Sequence, residues 1–207
     1  MNQKNSLGLN SCFKDLDNPY DLFNIWMEEA KKSEINDPNA LSLATTNSKF
    51  EPSVRMVLLK GLSEKGFVFY TNLNSPKSQD LKENPKAAMC FHWKSLQRQV
   101  RISGNISLVS NEEADIYFNS RPYESRIGAW ASDQSKTMKK RNEFLKKIDE
   151  FKIKYKNEEK LPRPKNWSGW CLNPLSFEFW LGDQYRIHER LKYNKVLENW
   201  KKEILYP

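Results

Sequence analysis

Phe177-Glu178-Phe179-Trp180-Leu181-Gly182-Asp183-Gln184-Tyr185-Arg186-Ile187-His188-Glu189-Arg190 reads as two β-strands joined by a tight turn at Gly182-Asp183. Side chains along a strand alternate between faces, so Arg186, His188 and Arg190 are expected on one face and Ile187 on the other. Three basic groups on one face repel one another unless water or an anion lies between them. Arg presents a planar fork that suits phosphate oxygens, and His titrates near neutral pH. Spacing alone leaves both a solvated strand face and an anion site open.

Around this stretch the chain reads as one domain. Its 207 residues suffice for a substantial core, and 38% hydrophobic with 13% aromatic residues exclude a disordered chain. The net charge of +8 fits an anionic small ligand, nucleic acid or a membrane surface. No apolar run is long enough to span a bilayer, and Met1 to Asn10 lacks the apolar core of a signal peptide. Cys12, Cys90 and Cys171 have neither metal-like nor redox-like spacing, so no metal is expected and a cytoplasmic location is the default.

Residues 1–17 are polar and expected to be mobile, with the domain running from 18 to 207. Asn18-Pro19 is a helix start, followed by Leu22, Phe23, Trp26 and Ala30 at helical spacing. Ala40 to Thr45, Ser53 to Lys60 and Phe67 to Thr71 read as strands, the second of them buried. Ser75-Pro76 opens a short helix that Pro85 stops, and residues 87–93 and 97–109 form a hairpin. Ser110 and Glu113 make a capping box for a helix over 111–119, and Ser135 to about Lys156 reads as a long charged helix. The last strands are expected at 170–172, 176–181, 185–193 and 200–205. Strands dominate and helices sit between hairpins, which suggests a mainly β antiparallel barrel with appended helices.

Several stretches carry possible chemistry. Arg55 and Lys60 sit among apolar residues, where a cation without a partner is costly, and their odd spacing puts them on opposite faces of a regular strand. Tyr70-Thr71 followed by Ser75-Pro76-Lys77 combines a hydroxyl, a helix start and a cation, the elements of an anion site. Gln99 carries an amide that both donates and accepts. Tyr117, Arg121 and Ser125 are spaced by four, with Pro122 between them. His92, next to Trp93 in an apolar strand, reads as structural.

These stretches, in this order, resemble the pyridoxine (pyridoxamine) 5′-phosphate oxidase family from about Asn18 to Arg190. The resemblance rests on Arg55-Met56-Val57-Leu58-Leu59-Lys60, Tyr70-Thr71, Arg98-Gln99-Val100, Tyr117 to Arg121, Arg126-Ile127-Gly128-Ala129-Trp130, Gln134-Ser135, and Glu178-Phe179-Trp180 with Arg186 to Arg190. It implies a split barrel that binds flavin mononucleotide (FMN) in a homodimer with cofactor sites at the interface. The implied FMN contacts are residues 55–60, Tyr70, Thr71, Lys77, Gln99, Gln134, Ser135, Trp180 and Arg190. Lys60, Tyr117, Arg121, Ser125, Arg186 and His188 are implied for the substrate, the last two at the reacting carbon.

The implied reaction is oxidation of pyridoxamine or pyridoxine 5′-phosphate to pyridoxal 5′-phosphate. Dioxygen is the acceptor, giving hydrogen peroxide, and ammonia leaves from the amine. A flavin barrel with another substrate and a non-catalytic pyridoxal phosphate binder stand as alternatives. No RNA-module signature supports a nucleic-acid barrel. Pro76 stands where the family has Arg, Cys171 where Arg is usual, and Leu181 where Gln is common; the N-terminus lacks the family's Arg-x-x-Tyr pattern.

Overall fold

The computed structural model describes residues 4–156 and 161–207. Its strands are β1 (Ala40–Thr46), β2 (Pro52–Leu58), β3 (Gly61–Ser63), β4 (Gly66–Asn72), β5 (Lys86–Trp93), β6 (Arg98–Leu108), β7 (Trp167–Leu181), β8 (Glu189–Val196) and β9 (Asn199–Leu205). The helices are α1 (Pro19–Ser33), α2 (Pro76–Glu83), α3 (Asn111–Ser120), α4 (Tyr123–Ala131) and α5 (Arg141–Lys154). All pairings are antiparallel, in the order β2-β1-β5-β6-β7-β4-β3, with β8 on β7 and β9 on β8. The sheet curls into a half-open barrel.

Strand β7 organises this sheet. Both halves pair with β6, but Trp167–Leu172 pairs on its other edge with β4, and Ser176–Leu181 with β8. The exchange occurs around Pro174, which has no N–H to give a ladder. Opposite it, the register of β6 shifts between Ser103 and Gly104. A Cβ on Gly104 would sit 2.0 Å from the Asn173 carbonyl oxygen, so only glycine allows this approach.

Helix α1 fills the concave side. Asn18 caps it by accepting from the Tyr20 N–H at 3.1 Å, and Leu22, Phe23, Trp26 and Ala30 are fully buried. Phe23 meets Phe67 edge-on at 4.9 Å and Trp26 meets Phe179 at 5.2 Å. A second apolar cluster of Phe118, Ile127, Tyr155, Leu161 and Trp167 joins the helices to the start of β7.

The structure departs from the sequence reading in several places. Residues 4–17 are packed, not loose: Leu9 and Phe13 are in the core, and Trp26 Nε1 donates to the Cys12 carbonyl at 2.9 Å. Two apolar side chains in a polar run supply the anchor; residues 1–3 lie outside the described residues. Strand β2 is not buried but an exposed edge, with Val54 68% and Met56 63% exposed. Residues 170–172 and 176–181 belong to one strand, because the pivot keeps the β6 pairing continuous. Helix α5 starts only at Arg141, and α4 forms just after Pro122, which the sequence reading took only as an interruption.

Residues 185–188 are not strand. Gln184–Arg186 form a 3-10 turn, and Tyr185 and Arg186 have φ of 58° and 64°. Arg186, His188 and Arg190 therefore do not line one strand face; only Arg190 is in β8, and a seven-residue loop replaces the tight turn.

Phe13→Ala should destabilise the protein by about 3–5 kcal/mol, because an aromatic ring leaves a well-packed core. Chemical denaturation of the variant checks this; a mobile N-terminal segment would give no change.

Candidate active site

A pocket of about 260 Å³ opens where β2 ends beside β4 and α3. Beyond Leu58 the ladder stops: the Leu59 N–H donates to the Asn39 carbonyl and the Lys60 N–H to that of Val68. Leaving the strand resolves the odd Arg55 to Lys60 spacing, since Lys60 now lines the pocket with Met56, Val57 and Leu58. Leu59 is a core residue and does not line the pocket.

Arg55 lies beside the pocket rather than in its wall. Its Nη1 donates to Thr45 Oγ1 at 2.7 Å and to the Leu43 carbonyl at 3.2 Å, and Asp80 is 3.9 Å away. Lys77 follows Pro76 in the first turn of α2 and is 8% exposed. Its ammonium donates to Thr71 Oγ1 at 3.1 Å and Ser75 Oγ at 3.2 Å. Burial, and then the Arg55 guanidinium, push the Lys77 pKa down. Gln134 is brought in from beyond α4, its Oε1 accepting from Thr71 Oγ1 at 3.2 Å and the Asn72 N–H at 3.3 Å.

The opposite wall is aromatic. Tyr70 stacks on Tyr117 at 3.9 Å and on Trp167 at 5.3 Å. Burial, and then the Glu113 carboxylate, push the Tyr70 pKa up to about 12, so it stays a neutral hydrogen-bond donor near neutrality. The Arg121 guanidinium lies over Trp167 at 4.8 Å, and its Nη1 is buried without a partner. Burial lowers its pKa, opposed by Tyr117. The pocket wall thus carries Lys60, Lys77 and Arg121 and no carboxylate. A buried donor without an acceptor costs free energy, and an anionic ligand removes that cost.

Not every candidate gathers here. Ser125 sits half-buried on α4 outside the pocket wall, and Ser135, with φ of 69°, lines a neighbouring depression. Gln99, Trp180, His188, Arg186 and Arg190 lie elsewhere. Trp180 and His188 line a depression of about 290 Å³ that shares no residue with the first pocket. Their rings are 4.7 Å apart, and His188 Nδ1 accepts from the Asp183 N–H at 3.2 Å. His92 is exposed and lines the same depression, contrary to the structural role expected for it.

Arg190 is held by Glu178, which the sequence shows as part of a motif but without a role. Glu178, 6% exposed, accepts from Arg190 Nη2 at 2.8 Å and Nε at 3.0 Å, and from Arg101 Nη2 at 2.7 Å. The pairing is set by register, because Glu178 stands opposite Arg101 on β6. An acid flanked by Phe177 and Phe179 was the available signal. Trp167, which completes the aromatic wall, was likewise unassigned.

The architecture is that of the split-barrel proteins. It superposes on PhzG from Burkholderia lata 383 in complex with tetrahydrophenazine-1-carboxylic acid, with a TM-score of 0.89 and 27% identity over 95% of this chain and 96% of that one. A pyridoxamine 5′-phosphate oxidase-related, FMN-binding protein from Nostoc punctiforme shares the fold at a TM-score of 0.74 and 16% identity, over 93% and 99% of the two chains. Residues 27–155 match the family model described as pyridoxamine 5′-phosphate oxidase. Residues 167–207 match the pyridoxine 5′-phosphate oxidase C-terminal dimerisation region. The chain is 62% identical over the full length of both proteins to a pyridoxine/pyridoxamine 5′-phosphate oxidase of Pelagibacter ubique. It is 50% identical to that of Sinorhizobium fredii, over 94% of this chain and 95% of the relative. The chain therefore belongs to the pyridoxamine 5′-phosphate oxidase family and is an oxidoreductase of it, with a dimerisation region at its C-terminus.

Glu178→Ala should cost about 3 kcal/mol, because Arg101 and Arg190 then face each other without their shared anion. Urea denaturation of the variant reads this directly; a loss below about 0.5 kcal/mol, the level of a neutral surface change, would refute it.

Proposed function

We propose that this protein oxidises pyridoxamine 5′-phosphate and pyridoxine 5′-phosphate to pyridoxal 5′-phosphate in vitamin B6 metabolism, using FMN. Electrons pass to dioxygen, giving hydrogen peroxide, and the amine substrate also releases ammonia. The observation that carries this reading is the pocket lined by three cations and no carboxylate, with the Arg121 Nη1 buried and unpartnered. Substrate and cofactor each bring a phosphate, and the family's cofactor fits these residues.

Lys77, Thr71 and Gln134 would hold the FMN phosphate side, with Arg55 adding positive charge. Lys60, Tyr117 and Arg121 would take the substrate phosphate, with Ser125 near them on α4. FMN, when bound, supplies the hydride acceptor. The chain's own part is binding, orientation and charge. Tyr117 and Arg121 fix one end of the substrate, and Arg186 and His188 would position its ring. His188 Nδ1 already accepts from the Asp183 N–H, which leaves Nε2 to face a ligand.

Arg186 and His188 are not in the pocket of their own chain, and the reading resolves this with a homodimer. One protomer supplies Lys60, Lys77 and Arg121, and its partner supplies Gln99, Trp180, Arg186 and His188. The exposed apolar side chains of β2, Val54 and the pocket-lining Met56, suit an interface. Arg190, bound to Glu178, would act as a rigid part of that face. A cytoplasmic location goes with this reading, since Cys12, Cys90 and Cys171 all remain free thiols.

The decisive assay is aerobic formation of pyridoxal 5′-phosphate from pyridoxine 5′-phosphate by purified protein, with and without added FMN. FMN-dependent product is expected. Bound yellow flavin without product would move the reading to another substrate on the same barrel. Arg186→Ala should lower turnover by about 100-fold with FMN still bound, and an unimpaired kcat would remove its role. Pro76→Arg should tighten FMN binding by about tenfold by adding a charge-assisted hydrogen bond; an unchanged Kd would show that the remaining cations already suffice.

A further inference from the structure

His92 occupies a position that the mechanism above does not use. Strand β5 alternates, so Phe91 and Trp93 are buried in the core while His92 between them faces out. It stands opposite Gln99 on β6, and Gln99 stands opposite Trp180 on β7. Residues directly opposite across a ladder share a face, with Cβ atoms about 4.5–5.5 Å apart. The three side chains therefore form one continuous row. The row borders the depression walled by His92, Lys94, Gln97, Trp180, Asp183 and His188.

The chemistry of this wall is specific. Trp180 offers a flat apolar face. His92, Lys94 and the Gln97 amide put donors around it, the Gln99 amide lies between His92 and Trp180 in the ladder, and Asp183 is the only carboxylate of the wall. Among the described residues, the only histidine ring hydrogen bond is the one His188 accepts from Asp183. A planar ligand with an acceptor-rich edge matches a flat apolar surface rimmed by donors.

We propose that His92 is a flavin-contacting residue, donating from its ring to the carbonyl-bearing edge of the isoalloxazine beside Gln99. The proposal rests on the FMN reading above. Reduction of a flavin places negative charge along that edge, and a fixed donor there stabilises the reduced form. His92 would thus help both to orient the ring and to ease its reduction.

The test uses His92→Phe, His92→Gln and, as a control, Trp180→Ala, each stripped of flavin and titrated with FMN by fluorescence quenching. The flavin potential of each reloaded protein is then read by equilibration with a reference dye. His92→Phe is expected to bind FMN about tenfold more weakly, the size of one lost hydrogen bond, and to hold a flavin that is harder to reduce. His92→Gln, which keeps a donor, is expected to recover both properties. If Trp180→Ala weakens FMN binding while His92→Phe matches the wild type in affinity and potential, the inference is overturned and the flavin reading stands. If the wild type binds no FMN, or Trp180→Ala changes nothing, the flavin reading itself fails. A His92→Phe protein that no longer dimerises, with His92→Gln equally defective, would assign His92 to the subunit interface and overturn the proposal.

Discussion

Strand β7 must be paired along its length on both edges, and it meets that requirement by changing partners at its middle. The close contact of Gly104 with the Asn173 carbonyl and the missing N–H of Pro174 make the change possible. Everything at the site follows from it. The first half of β7 carries Trp167 into the aromatic wall beside Tyr70 of β4. The second half carries Glu178 and Trp180 out to meet β8. One strand thus feeds two separate depressions of a single protomer, through Trp167 and Trp180.

Charge is distributed with the same logic. The one deeply buried acid of β7, Glu178, is consumed by Arg101 and Arg190. Asp80 is committed to Thr45 and Arg55. Asp80 is therefore spent on structural partners, and Lys77 and Arg121 are left desolvated, Lys77 bonded to hydroxyls and Arg121 stacked on an aromatic ring. Desolvated cations without carboxylates form a standing demand for an anion. The overall charge of +8 does not produce this; the absence of a carboxylate from the pocket wall does.

The N-terminal segment adds a connection between core and site. Phe13 packs on Trp26 at 5.3 Å, while Lys4 and the Asn10 N–H both bind the Glu189 carboxylate next to His188. The loop that carries Arg186 and His188 is thus tied to the core through residues whose polar composition suggested no order. Two positive φ values in that loop, at Tyr185 and Arg186, mark backbone in a costly conformation.

Much of the fold was readable from residue order, because its signals are local. Asn18-Pro19, Ser110 with Glu113, and the strand runs at 40–45 and 87–93 each depend on neighbours a few residues away. The family, and most of the pocket from Lys60 to Arg121, were readable in the same way, since their motifs are contiguous. What tertiary structure alone decided depends on contacts distant in sequence. The exposure of β2 follows from its place at the sheet edge, and the burial of Leu9 and Phe13 from the groove they meet beside α1. The loop at 182–188 breaks the period-two reading because it folds on itself, the Asp183 N–H bonding the His188 ring across a 3-10 turn at Gln184–Arg186 instead of a neighbouring strand. His92 joined Gln99 and Trp180 only when three strands came into register. Periodicity reports which way a side chain points relative to its neighbours in the chain, and says nothing of what waits on that side.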